Sequence, residues 1–280
     1  MRTTRSAMTT KLRFRILVLA AGSLAAAGSL AAQQEFIPAK TYSVEEDREI
    51  LKLYERLRVA DVSDGLDMAG LPDVGLVDPE IRPLWRDVDN FAHIFAGIAV
   101  TVRYVPSNRQ RPDKVPAAVF EKWEGNWYNQ LSSEPFTQYL REGSVVVIDG
   151  NEDGDTGTIG SNNIMGWKVR GAVGVVTSGG ARDTDEIIKE KIPLYYRRPA
   201  RGIRPGRNLV ESVQKPVTIG GVLVRPGDVV VADGDGVVVV PREFAKEVAG
   251  HARRILEKDK QGRRKLYEKL GLPPDPTVQP

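Results

Sequence analysis

Two periods of apolar residues alternate along this chain, and the places where one gives way to the other mark its elements. Ile50, Leu51, Tyr54, Leu57 and Val59 recur at roughly helical spacing. They follow Ser43-Val-Glu-Glu46, a capping box in which the serine caps the helix start and Glu46 reaches back. A second short helix is predicted from Val62 to Met68, stopped by Gly70 and Pro72. Phe95 to Tyr104 reads as a strand, and the polar, proline-bearing stretch 105–115 as a loop. Ala117 to Leu131 reads as a helix whose Trp123 and Trp127, four apart, share a face; core or interface packing explains such a pair.

The middle of the chain carries the clearest signal. Ser144 to Asp149 is an unbroken apolar strand, Gly150 to Gly160 a Gly/Asp-rich loop, and Asn162 to Val169 a helix. Gly171 to Thr177 is a second apolar strand that runs into Ser178-Gly-Gly-Ala-Arg-Asp183. Strand, helix and strand at this spacing make a βαβ unit, so the fold class is α/β. A short helix is predicted over 183–191, then a strand start at Pro193 to Tyr196 and an Arg/Pro/Gly-rich turn over 197–207. Pro216 to Val224 and Asp228 to Val240 read as strands, with turns at Pro226-Gly227 and Asp233-Gly-Asp-Gly236. A helix is predicted from Pro241 to about Tyr267, and the Pro-rich tail from Gly271 is expected to be loose.

The first residues belong to a different pattern. Arg2, Arg5, Lys11, Arg13 and Arg15 form a basic start without acids, and Ile16 to Ala32 is apolar or small. This is the layout of a secretory signal peptide over residues 1–32, with cleavage expected after Ala31 or Ala32. An uncleaved anchor is the alternative, but the run is short for a membrane span and holds Gly22 and Gly28. The expected location is therefore periplasmic or secreted, without stable membrane insertion after cleavage. Residues 33–42 read as a linker, 43–255 as the folded domain, and 256–280 as a basic helical extension with the Pro-rich tail.

The leader changes the reading of charge. It holds five of the 40 Lys and Arg and none of the 37 Asp and Glu, leaving 35 basic against 37 acidic residues. The basicity of the whole chain therefore gives no reason to invoke nucleic acid. The absence of cysteine excludes disulfides, thiolate metal sites and a cysteine nucleophile. His93 and His251, the only histidines, stand far apart, so a histidine-rich zinc site or a serine–histidine–aspartate triad lacks parts. His93, in an apolar stretch, is expected in the core.

Two stretches carry candidate chemistry. Gly179-Gly-Ala-Arg182-Asp183 sits at the carboxyl end of a buried strand, where ligands bind in α/β sheets. Glycines let backbone approach a ligand, arginine presents a fork suited to a carboxylate, and aspartate is a hard ligand for Mg2+ or Mn2+. A surface salt bridge is the plain alternative. Gly157-Thr-Ile-Gly160-Ser161-Asn162-Asn163 precedes a predicted helix, whose free amides attract anions such as a keto-acid carboxylate. A helix cap by Ser161 or Asn162 would account for it equally.

These stretches resemble a known family. Gly171 to Asp183 is similar to the hallmark of the RraA-like proteins and the class II 4-hydroxy-4-methyl-2-oxoglutarate aldolases, in which such a strand ends in Gly, two residues, then Arg-Asp. Ala60-Asp-Val-Ser-Asp-Gly-Leu66 resembles the family's amino-terminal signature, and Gly220 to Pro241 its carboxyl-terminal block. The likeness covers about residues 44–255. It implies an α-β-β-α sandwich related to swivelling phosphohistidine domains, assembled as a homotrimer or a dimer of trimers. It also implies a divalent metal, Mg2+ or Mn2+, anchored by Asp183, and a 2-oxo acid held by Arg182 and by Gly160, Ser161, Asn162 and Asn163. The activity implied is a carbon–carbon lyase: retro-aldol cleavage, or oxaloacetate-type decarboxylation giving pyruvate. One departure stands out. The family's aldolases carry an acid twenty intervening residues before the arginine, where this chain has Ser161. Asp155 and Asp153 are the candidates to replace it, against simple loop solvation, and a carboxylate from a neighbouring subunit cannot be assigned. The alternative is a non-catalytic binding protein, like the branch that inhibits ribonuclease E, although the leader argues against that cytoplasmic partner.

Three further features have ordinary explanations. Arg197, Arg198, Arg201, Arg204 and Arg207 suit either an anion or a salt-bridged loop. Asp233 and Asp235 read as turn-formers. The basic stretch from Arg253 to Lys269 reads as a solvated helix face.

Overall fold

The computed structural model describes residues 37, 40–150 and 154–279. The predicted leader, most of the linker and Asp153 lie outside them. Helix α1 (Val44–Tyr54) begins with the predicted capping box: Ser43 Oγ accepts the Glu46 amide at 3.1 Å, and the Ser43 amide donates to the Glu46 carboxylate at 2.7 Å. Helix α2 (Val59–Met68) starts three residues earlier than its apolar pattern suggests. Its first amide, at Val59, donates to the Asp233 carboxylate at 2.8 Å, so a residue far along the chain sets the start.

The elements that follow are β1 (Arg82–Pro83), β2 (Phe95–Pro106), α3 (Ala117–Gln130), β3 (Ser144–Asp149), β4 (Gly157–Ile159), α4 (Ser161–Val169) and β5 (Ala172–Ala181). Then come α5 (Thr184–Lys189), β6 (Leu194–Pro199), β7 (Asn208–Val213), β8 (Val217–Ile219), β9 (Val222–Val224), β10 (Val229–Asp233), β11 (Gly236–Val240) and α6 (Ala245–Leu270). The main sheet has the order β1-β6-β5-β3-β2-β10-β11, with β4 also on β5 and β7 also on β2. Strands β6, β5, β3 and β2 are parallel to their neighbours in that order, and β10 and β11 run antiparallel. The parallel strands are covered on both faces, which is why β3 and β5 read as continuous apolar runs rather than alternating ones.

One segment nearly closes this sheet. Val77 donates its amide to Val237 O and Val239 donates to Gly75 O, so residues 75–77 border β11, while β1, a few residues on, pairs with β6 at the other edge. Helices cover one face of the sheet in two groups. Helices α1, α2 and α6 share a core with Ile98, Val229, Val231, Val238 and Val240. Further along the same face, Ile164, Trp167 and Ile187 of α4 and α5 pack with Val146, Ile148 and Val175. The alternate residues Ala99, Val145, Val147, Val230 and Val239 form a separate core on the opposite face. The α/β expectation with helices at both chain ends holds.

Two readings of the pattern need correction. Residues 216–224 are not one strand but the hairpin β8–β9, turned by Gly220 and Gly221 at φ 50° and 83°, a conformation glycine adopts without steric cost. The tail is not loose. Val278 is fully buried, Arg264 donates to Val278 O, and Tyr267 donates to Asp275, so residues 275–279 fold back on α6. The cations predicted to be a solvated face there serve partly as donors to tail carbonyls. Among the described residues, no helix is long and apolar enough to cross a membrane.

Candidate functional site

Strand β5 carries the chain to Ala181, and Arg182 and Asp183 follow at its carboxyl end. Asp183 takes up the left-handed conformation, φ 55° and ψ 37°, as the N-cap of α5. That conformation costs a non-glycine residue about 1–2 kcal/mol, though aspartate tolerates it better than most. Asp183 makes no capping bond to its own helix. Its Oδ2 instead accepts the Ser161 amide at 3.2 Å, at the start of α4.

Strand β4 makes this meeting possible. It lies parallel against the end of β5, with Gly157 opposite Gly180 and Ile159 opposite Ala181, and the Arg182 amide donates to Ile159 O at 2.9 Å. The α4 N-terminus therefore arrives beside Arg182 and Asp183. Two glycines leave room for them. A Cβ on Gly157 would come within 2.9 Å of the Arg182 stem, and one on Gly160 within 2.6 Å of Asp183 Oδ2. Gly160, as N-cap of α4, offers no side chain, and the Asp183 carboxylate sits where a capping group would.

The Arg182–Asp183 pair is loose. Arg182 Nε is 3.8 Å from Asp183 Oδ1, and the side chains are 35% and 40% exposed. The first-turn amides of Asn162 and Asn163 have no acceptor within their helix. The residues singled out in sequence, Gly160, Ser161, Asn162, Asn163, Arg182 and Asp183, thus form one patch. A helix cap and an open carboxylate coexist in it.

Sequence reasoning missed the support beneath that patch. Glu134 accepts from Asn163 Nδ2 at 2.7 Å, from Trp167 Nε1 at 2.8 Å and from Arg204 at 2.8 Å. Arg204, 5% exposed, also donates to the Tyr104 hydroxyl at 3.1 Å and lies 5.1 Å from the Tyr128 ring centre. Burial pushes the Tyr104 phenol well above its ordinary pKa. Glu134 stands alone in an irregular stretch, so no periodic signal marked it.

The arginine-rich stretch proves to be mostly internally satisfied. Arg197 binds Asp78 and Glu80, Arg198 donates to Gly154 O, Arg204 binds Glu134, and Arg207 donates to Ile203 O. Arg201 holds Asp155 through Nε at 3.0 Å and a second nitrogen at 2.8 Å. The bond from Arg201 holds the Asp155 carboxyl below the ordinary aspartate range. Asp155 is therefore engaged in an exposed ion pair with Arg201. Asp153 lies outside the described residues. His93 is buried as expected, its Nδ1 accepting the Asp87 amide at 3.1 Å, and Asp233 accepts the Asp235 amide within its turn. Trp127 is buried, and the Trp123 ring lies tilted at 55° with its centre 5.5 Å away.

The residues suit a hard divalent cation in a limited way. Asp183 offers a half-exposed carboxylate that no tight ion pair consumes. Among the described residues, no group of three or more His, Cys, Asp and Glu converges as a ready-made cage. Mg2+ commonly takes one or two carboxylates and completes its shell with water and substrate oxygens. A single-carboxylate site of that kind fits.

The chain is similar to known proteins in sequence and in fold. The family model for the RraA-like, or Aldolase/RraA, proteins matches residues 59–239. Protein DlpA of Legionella pneumophila is 31% identical over 201 residues, which is 68% of this chain and 27% of that protein. The 4-hydroxy-4-methyl-2-oxoglutarate aldolase of Thermus thermophilus is 32% identical over 102 residues, 35% of this chain and 60% of the enzyme. The matched stretches thus span less than two thirds of these relatives. Among solved structures, a Pseudomonas syringae protein superposes with TM-score 0.61 at 27% identity, covering 81% of this chain and 94% of its own. Streptomyces coelicolor RraAS2, described as an unusual member of an RNase ES inhibitor family, superposes with TM-score 0.61 at 24% identity over 78% of this chain and 98% of its own. That likeness speaks for the fold.

Proposed function

Because the chain belongs to the RraA-like family, we propose that it is a divalent-metal-dependent carbon–carbon lyase acting on a small 2-oxo acid. One observation carries this reading. The Asp183 carboxylate leaves its own helix, reaches the α4 N-terminus, and stays half exposed beside Arg182. Capping α4 does not consume the group, because its side chain stays 40% exposed with no tight ion pair.

The roles follow from the chemistry of the groups. The Arg182 guanidinium pairs with the substrate carboxylate. The amides of Asn162 and Asn163 donate to the keto-acid end, where negative charge grows during cleavage and fixed donors stabilise it most. Asp183 holds Mg2+ or Mn2+, and when bound that ion supplies Lewis-acid stabilisation of an enolate. Glu134 fixes the direction of α4 through Asn163 and Trp167. Ser161 does not furnish the carboxylate that the family resemblance expects. In this reading the acid comes from a neighbouring copy in a homotrimer or dimer of trimers. The leader pattern supports action in the periplasm or outside the cell.

The test uses purified protein with oxaloacetate or 4-hydroxy-4-methyl-2-oxoglutarate and Mg2+ or Mn2+, following pyruvate with lactate dehydrogenase. Expected is metal-dependent turnover that Asp183→Ala lowers by about 10²–10³-fold. No pyruvate from either substrate with either metal would remove the lyase reading. It would favour a non-catalytic binding protein, which the single acid at the patch also suits.

A further inference from the structure

We propose a second ligand site, specific for a long-chain carboxylate, at the opposite end of the sheet from Asp183. A cavity of about 1060 Å³ opens there, ample by the standard of small-molecule pockets. It lies at the amino ends of the parallel strands, beside Ala96 near the start of β2 and Val173 near the start of β5. Strand β5 carries the chain about 30 Å from there to the Arg182–Asp183 edge, so the two sites are separate.

The floor is apolar. Leu51 of α1, Phe91 and Ile94 of the preceding loop, Ala96 and Val173 line it, and each is only partly covered by the protein. The rim is cationic. Lys52, Arg56, Lys260 and Arg263 stand around the floor, and among the described residues none of the four forms a salt bridge. Lys260 donates to Gln279 O and Arg263 to Thr277, both neutral acceptors. Partial burial, and then the like charges of Arg56, Arg253, Arg58 and Arg264, hold the Lys260 ammonium below its ordinary pKa. The rim's acids do not offset this cluster. Glu142 faces Arg48 at 4.0 Å, leaving Glu55 and Asp89 against the four unpaired cations. Asp61 and Asp259 are already taken by Arg58.

An apolar trough rimmed by cations without counter-charges calls for a ligand with a hydrocarbon chain and one anionic head. The chain covers Leu51, Phe91, Ile94 and Val173, and the head relieves the repulsion around Lys260. A neutral lipid would leave the cations unpaired, and a small anion would leave the floor wet.

The test titrates the full-length protein with cis-parinaric acid, a fluorescent long-chain carboxylate. Expected is saturable micromolar binding, displaced by oleate but not by oleyl alcohol. Joint Lys260→Glu and Arg56→Glu substitution should weaken it at least about ten-fold, and Leu51→Trp, which fills the floor from the cavity-facing side of α1, should abolish it. Circular dichroism of each variant separates loss of binding from loss of fold. Non-saturable uptake, equal displacement by the alcohol, or unchanged affinity after charge reversal would overturn the proposal. So would self-association through this face that oleate leaves undisturbed.

Discussion

Asp47 and Asp183 are both aspartates set against arginine, yet the molecule places them in opposite settings. The Asp47 side chain is 4% exposed and lies between Arg242, at 2.7 Å, and Arg141, whose Nε is at 3.0 Å. Arg242 in turn covers the Tyr42 ring at 4.3 Å. This cluster ties α1 to the approaches of β3 and α6. Asp183 is ten times more exposed, has its arginine at 3.8 Å, and reaches across to the amide of another helix. Residue type alone does not separate the structural carboxylate from the available one. Burial, partner distance and backbone conformation do.

The largest test of that contrast is stability. Asp47→Ala leaves Arg242 buried without its counter-charge and should lower the unfolding free energy by about 3–5 kcal/mol. Asp183→Ala, which removes a half-exposed group, should change it by less than about 1 kcal/mol while lowering turnover by about 10²–10³-fold. Urea denaturation of both variants measures this, and equal losses would erase the distinction.

A smaller effect is expected at Gly160. Alanine there would place its Cβ within 2.6 Å of Asp183 Oδ2 and push the carboxylate off the α4 amide. Because Gly160 has φ −125°, the backbone itself accepts alanine. Turnover should fall by about 10²-fold, as displacement of a reacting group by an ångström does, with the melting temperature nearly unchanged. Activity equal to wild type would mean that the Asp183 geometry is incidental.

The smallest effect concerns Asp155, a third aspartate–arginine pair, whose side chain is 51% exposed. Its carboxyl is held below the ordinary aspartate range by Arg201. A carboxyl lowered on folding stabilises above its unfolded pKa, and loses that contribution as pH falls through the folded value. Asp155→Asn should therefore cost a slight drop in melting temperature at neutral pH and none in strong acid, with turnover unchanged. Loss of turnover would assign Asp155 the role of the acid missing at Ser161.

Much of the site was legible because its parts are local. The glycines at 157 and 160, the helix start at Ser161 and the Arg182-Asp183 pair each declare themselves in a few consecutive residues. Their convergence was suggested by the family resemblance, and β4 supplies its physical cause by aligning Gly157 with Gly180. Glu134 escaped notice because its partners, Asn163, Trp167 and Arg204, lie 29 or more positions away. Asp155 suggested a carboxylate in reserve, and the fold sets Arg201 against it.

The amino-acid pattern alone determined the apolar strands β3 and β5, the capped start of α1, the turn at Asp233 and the α/β class. These record burial and backbone preference, which adjacent residues express together. Tertiary structure alone decided where α2 begins, that the tail docks on α6, and which aspartates remain open. Each depends on a donor, acceptor or counter-charge brought from a distant segment, and spacing along the chain carries no trace of such a partner until the fold delivers it.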